Sequence, residues 1–170
     1  MRTALLSLAA AAIFATGCDA KTPPKGSTAA NESADKVKAL HRGELAAVST
    51  FEDAIKKNDA HAWVSELARI LGEHRDAVDR LKGRLQDLGV TPDVSAGAWG
   101  GWTDLVAKTA AVLGDEPARD ALKTGEKMGV KTYEDALLDG KIDEATKSLI
   151  RDRLLPRTRE HVTALENLKK

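Results

Sequence analysis

An internal repeat constrains this chain more than any other feature. Gly43-Glu44, followed by Phe51-Glu52-Asp53-Ala54-Ile55, returns as Gly125-Glu126, followed by Tyr133-Glu134-Asp135-Ala136-Leu137, with the internal spacing unchanged. A second phrase, Glu73-His74 with Ala77-Val78-Asp79, Leu81 and Lys82, returns as Glu160-His161 with Ala164-Leu165-Glu166, Leu168 and Lys169. The order is A-B-A′-B′. Self-similarity at a long period marks one supersecondary unit present twice, each copy unable to bury its apolar face alone. Apolar residues within each copy recur at three- and four-residue steps, so the unit reads as a helical hairpin.

Composition supports helices over strands, because Ala, Leu, Lys, Glu, Asp and Arg dominate and aromatics are few. The 26 basic side chains equal the 26 acidic ones, which leaves no net field to draw the folded chain to nucleic acid. No nucleophile with a paired base, phosphate-cradling Gly loop or CxxC pattern is present. Classical hydrolase and nucleotide-binding readings therefore have no residues to carry them.

The N-terminus reads as separate from the fold. Arg2 precedes an Ala-rich apolar run over residues 4–15, too short for a permanent span and shaped like a secretory signal. Ala15-Thr16-Gly17-Cys18 then resembles the lipobox of bacterial lipoproteins, in which cleavage makes the cysteine a lipidated N-terminus. Cys18 is the only cysteine and has no disulfide partner within the chain. The expected organisation is a signal peptide at 1–17, lipidated Cys18 with a flexible tether over 18–35, and a helical domain over 36–170. The resemblance places that domain outside the cytoplasm in the bacterial envelope, anchored to the inner or outer membrane through lipid on Cys18. A homodimer is left open.

Four main helices are expected. The first covers about residues 34–57, with Leu40, Ala47, Val48, Phe51, Ala54 and Ile55 on its stripe, and Asn58-Asp59 as turn and cap. The second covers 60–88 and ends at Gly89. A Gly-, Ser-, Thr- and Pro-rich crossover follows, with a short amphipathic helix over 102–113. Trp99 and Trp102 there are expected to cap the bundle end. The third helix runs from Asp115 to about Leu138, and the fourth starts near Asp143 and carries Pro156, which should kink it before His161. Two hairpins joined by a long connection make a four-helix bundle with one crossover.

Four ionisable residues fall on the apolar stripes, one per helix. Glu44 lies between Leu40, Val48 and Phe51, and Glu126 between Leu122, Val130 and Tyr133. His74 lies between Ile70 and Leu81, and His161 between Leu154 and Leu165. Buried carboxylates are tolerated when paired or bound to a cation. His41 and His61 are read as surface residues, and Glu52 and Glu134 as solvated acids facing basic neighbours.

These motifs, with Ala98-Trp99-Gly100 and Leu154-Leu155-Pro156-Arg157, resemble an uncharacterised bacterial branch of the ferritin-like superfamily over about residues 36–170. The resemblance implies an all-α, ferritin-like four-helix bundle of two pseudo-repeated hairpins. Glu44 with Phe51 and Glu126 with Tyr133 match the di-iron proteins' glutamate with an aromatic seven residues later. Their Glu-x-x-His pairs are not matched, since Leu71 and Thr158 stand three before His74 and His161. Two carboxylates and two imidazoles suit a single iron, manganese or zinc ion. The expected metal ligands are Glu44, His74, Glu126 and His161, with Tyr133 close enough to donate a hydrogen bond; no catalytic activity is assigned. The alternative is a metal-free helical structural or protein-binding module of the envelope stress response. In it Glu44 pairs with His74 and Glu126 with His161 only to fix each hairpin's register.

Overall fold

Leu67, Ile70, Leu71, His74, Ala77, Leu81 and Leu85 follow one another at helical steps, and all are buried. That stripe makes the helix Val64–Asp87 in a computed structural model, which describes residues 28–57, 63–97 and 115–168. The described elements are α1 (Thr28–Lys57), α2 (Val64–Asp87), α3 (Asp115–Leu138), α4 (Glu144–Leu149), a π-helical turn (Ile150–Leu154) and α5 (Leu155–Asn167). Among the described residues there is no strand, and no helix is long and apolar enough to cross a membrane. Cys18, Asn58-Asp59, His61, Trp99, Trp102 and the short helix expected over 102–113 lie outside them.

The helices assemble as a bundle. α1 packs mainly on α2 and α3 mainly on α5, while α1 also meets α3 and α2 meets α5. Each helix is interrupted by polarity at one level. On one side of that level Val37, Leu40, Leu81, Leu85, Ala136, Ile150 and Leu154 form one apolar cluster. On the other side Phe51, Ala54, Leu67, Ile70, Leu71, Leu122 and Leu165 form a second. A fully buried Leu or Ile contributes about 1.5–3 kcal/mol. The two clusters therefore supply the driving force for folding, and the layer between them is free to carry something else.

Helix boundaries depart from expectation in two places. The first helix begins at Thr28 rather than near residue 34, because Ser33 and Ala34, at 2% and 3% exposure, are part of the packed domain and not of a tether. Ser33 donates its hydroxyl to Asp143 Oδ2 at 2.9 Å and accepts from the Asp143 amide at 3.1 Å. Asp143 caps α4 by accepting from the Thr146 amide at 3.0 Å. One residue thus closes the start of the fourth rod onto α1, with Arg84 of α2 donating to it at 2.9 Å.

The second departure concerns Pro156. A proline inside an α-helix lacks the N–H for the carbonyl four residues back and its ring clashes with that carbonyl. The chain meets this by widening to a π-helical turn over Ile150–Leu154, in which the Leu155 amide donates to Ile150 O, five residues back. Pro156 then falls at the start of α5, where a missing N–H does no harm. Single π turns insert one residue and shift the face that follows. This turn immediately precedes the segment that carries His161.

Candidate metal centre

The polar layer holds His74 and Glu126, each 4% exposed, His161 at 2% and Glu44 at 7%. They form one continuous chain. His74 Nδ1 lies 2.7 Å from Glu44 Oε2, and His74 Nε2 lies 2.9 Å from Glu126 Oε1. Glu126 Oε2 lies 3.1 Å from His161 Nδ1, and His161 Nε2 lies 2.8 Å from Glu73 Oε2. Glu73 is held in turn by Arg69, whose Nη1 donates to Glu73 Oε1 at 2.5 Å. At the other end Tyr133 donates its hydroxyl to Glu44 Oε1.

The Gly-Glu and Glu-His repeats meet through the same atoms in both halves. Each histidine presents Nδ1 to the Oε2 of the glutamate on its hairpin partner. The remaining nitrogens differ. His74 Nε2 crosses to Glu126, which belongs to the other hairpin, whereas His161 Nε2 takes Glu73. The imidazole rings of His74 and His161 stand 4.9 Å apart at 61°, edge to face.

One ligand atom from each of His74, Glu126 and His161 lies within 4.8 Å of the others. Two atoms bound side by side to one ion at about 2.1 Å stand about 3 Å apart. The 2.9 and 3.1 Å separations from Glu126 to the two imidazoles, one through each carboxylate oxygen, equal that spacing and are equally hydrogen-bond lengths. Each imidazole also has its far nitrogen on a carboxylate, Glu44 for His74 and Glu73 for His161. That is the outer support that fixes ring orientation and tautomer in metal-binding histidines. In donor type and outer support, the residues present could hold a divalent ion by two nitrogens and a carboxylate.

Electrostatics are tightly coupled. Burial pushes the His74 pKa down, but the charges of Glu126 and Glu44 and hydrogen bonds to both carboxylates outweigh it and raise it to about 10. Burial pushes Glu126 up, yet the His74 charge and hydrogen bonds from His161 and His74 hold it at about 2. Tyr133 is raised well above its ordinary value, first by burial and then by the charge of Glu44 and the hydrogen bond to it. Without a metal, both nitrogens of His74 face carboxylate oxygens, an arrangement that only an imidazolium satisfies. A divalent ion with neutral imidazoles would balance Glu44 and Glu126 equally well, while Arg69 balances Glu73.

All four residues expected from the sequence stand together, with a division of position that the helical wheel did not show. Glu44 sits behind His74 and outside the compact group. Glu73, off the apolar stripe of α2, also reaches the layer, with its side chain still 20% exposed. Glu160, its counterpart in the repeat, is exposed. Glu52 and Glu134 pair at the surface with Arg75 and Arg159, each at 2.7 Å, as expected of solvated acids.

His41 corrects the sequence reading. It is 2% exposed rather than on the surface, and neither ring nitrogen has a hydrogen-bond partner among the described residues. Burial, ahead of all other effects, lowers its pKa. α2 and the chain that follows it flank α1 here, with Lys82 and Asp93 both close enough to act on the ring, and Arg42 pairs with Asp93 at 2.7 Å. Polar neighbours in sequence concealed that packing.

No family model, curated protein or solved structure matches this chain.

Proposed function

We propose that this chain is a ferritin-like, lipid-anchored protein of the bacterial envelope whose bundle interior binds one divalent ion, iron, manganese or zinc. His74 Nε2, His161 Nδ1 and Glu126 hold the ion, and Glu44 and Glu73 orient the two imidazoles. The anchor rests on the lipobox-like Ala15-Thr16-Gly17-Cys18, and the bundle type on the repeat and the long connection between α2 and α3. One observation carries the metal reading: Glu126 lies between two inward imidazole nitrogens whose outward partners are both carboxylates.

Energetics favour a functional cause for this layer. Removing an ion from water costs several kcal/mol, and replacing a buried ion pair by apolar residues of similar volume is commonly neutral or stabilising by about 1–4 kcal/mol. An apolar layer continuous with the two clusters would have held the bundle together at least as well. Two imidazoles and one carboxylate leave coordination positions open, a donor set characteristic of non-haem iron sites. An ion bound there supplies Lewis-acid or one-electron chemistry.

A second reading has its own observation: every carboxylate oxygen and imidazole nitrogen of the layer already has a partner. In that reading the network specifies helix register in a metal-free structural or protein-binding module. Elemental analysis of the full chain, purified without a metal-affinity tag, separates the two. Near-stoichiometric metal, absent from His74→Ala, His161→Ala, is expected. Metal-free protein that stays so after anaerobic reconstitution with iron returns the layer to the second reading.

A further inference from the structure

A cavity of about 80 Å³ lies between α1 and α3 and reaches the polar layer at Glu44, His74, Glu126 and Tyr133. Small residues open part of its wall, Gly43, Ala46 and Ala47 on α1 and Gly125 and Gly129 on α3, beside larger apolar ones such as Phe51 and Leu122. A Cβ added at Gly43 would meet nothing within 4 Å, so the glycine before Glu44 faces open space rather than a close neighbour. Gly125, the glycine before Glu126, lines the same space. The Gly-Glu phrase of the repeat thus places a carboxylate at the floor and an absent side chain beside it, once from each helix.

The wall chemistry selects among ligands. Thr50, Thr132 and Thr158 line the cavity, but each donates its hydroxyl to a carbonyl of its own helix, Ala46 O, Met128 O and Leu154 O, at 2.8, 2.9 and 3.0 Å. No Lys or Arg contributes to the lining, and Met128, 44% exposed, offers a thioether at the rim. An anion would meet Glu44 and Glu126, and the one cationic group in the lining, His74, is already held between those two carboxylates. The acids themselves are engaged by His74, His161 and Tyr133. Apolar cavities of about 150 Å³ admit benzene or xenon, so this smaller one suits a molecule of very few heavy atoms.

We infer that the α1–α3 cavity is a binding site for a small, uncharged, largely apolar molecule of gas size, delivered to the Glu126 side of the centre. This deepens the metal reading by naming the ligand class of that centre. Gly43, Gly125 and Gly129 keep the site open, and the three threonines have their hydroxyl protons engaged within their own helices.

Xenon is the probe, and methyl NMR of the full chain is the readout. Xenon should shift the methyl signals of Ala46, Ala47, Leu122 and Thr158 saturably. The response should vanish in Gly43→Leu and persist in Gly72→Leu, which adds the same side chain at an exposed site on α2. Leu is the better helix former at both positions, and Ala47→Leu provides a second filled cavity should Gly43→Leu not fold. No saturable response in the wild type, or one that survives both filled variants, overturns the inference. Ammonium and formate should leave the same signals of the chelated protein unmoved, and a saturable response to either there overturns the uncharged class. The titration is run on chelated and on metal-reconstituted protein. Xenon binding without metal uptake keeps the cavity and removes the metal reading, whereas metal uptake without xenon binding does the reverse.

Discussion

Tyr133 of α3 donates its hydroxyl to Glu44 of α1, 89 residues away, and so occupies the one oxygen of Glu44 that His74 does not use. The repeat places Phe51 where the other half has Tyr133, and Phe51 has no hydroxyl to offer. Its ring lies 5.1 Å from that of His74 instead. One oxygen atom thus separates the two halves: Glu44 is completed by a phenol, and Glu126 by a second imidazole.

Tyr133→Phe should therefore destabilise the protein by about 1–3 kcal/mol, the cost of leaving a buried acceptor without its donor. The ring itself is retained, so packing changes little. Urea unfolding followed by circular dichroism measures the difference, and an unchanged midpoint would show that Glu44 Oε1 finds another partner.

Glu44→Gln and Glu73→Gln should each weaken metal affinity by about 10–100-fold without abolishing it, because each supports an imidazole from behind. Glu126→Gln should remove stoichiometric binding. Competition with a chromophoric chelator ranks the three variants. Equal losses at Glu44 and Glu126 would place both carboxylates on the ion.

Stability of the chelated protein should peak in mildly acidic solution. His74 is raised from 6.5 to about 10, so the stability it contributes is complete below pH 6.5 and is lost as pH climbs through 10. Glu126 is lowered from 4.5 to about 2, so its contribution is complete above pH 4.5 and is lost as pH falls through 2. Both are fully present only between 4.5 and 6.5. Urea midpoints across pH test this, and midpoints that rise with alkalinity contradict it. Bound metal should flatten the alkaline decline, since the ion replaces the proton on His74.

Gly89→Ala should cost about 1–2 kcal/mol. Gly89 ends α2 at φ +73°, its amide donating to Gln86 O and that of Val90 to Leu85 O, each at 2.9 Å. This is the paired-bond helix stop that a left-handed residue makes possible. Thermal denaturation against Gly83→Ala, a helix-interior control whose added Cβ meets nothing within 4 Å, isolates the backbone effect.

The helices were legible in the sequence because apolar spacing is a local property. Leu67, Ile70, Leu71, Ala77, Leu81 and Leu85 announced α2 by their intervals, and all are buried. The same intervals placed Glu44, His74, Glu126 and His161 on inward faces, and each is at most 7% exposed. What the intervals could not convey was reach. Glu73 lies off the stripe of α2, yet a flexible side chain carries its carboxylate to His161. His41 sits among polar residues, yet α2 and the chain after it close over α1 at that point.

Sequence by itself determined helices that carry a repeated Gly-Glu and Glu-His pattern and turn Glu44, His74, Glu126 and His161 inward. Those are consequences of periodicity, which any straight helix turns into a face. Only the tertiary structure decided which oxygen meets which nitrogen: that Glu126 lies between the two imidazoles, that Glu44 stands behind one and Glu73 behind the other, and that a cavity remains where two glycine-bearing helices approach. Those outcomes depend on ångström-scale offsets between separate helices, set by the π-helical turn before Pro156, by the Ser33–Asp143 closure and by the two apolar clusters on either side. A helical wheel holds the angle of each side chain about its own axis, and the distance between axes enters only when the helices pack.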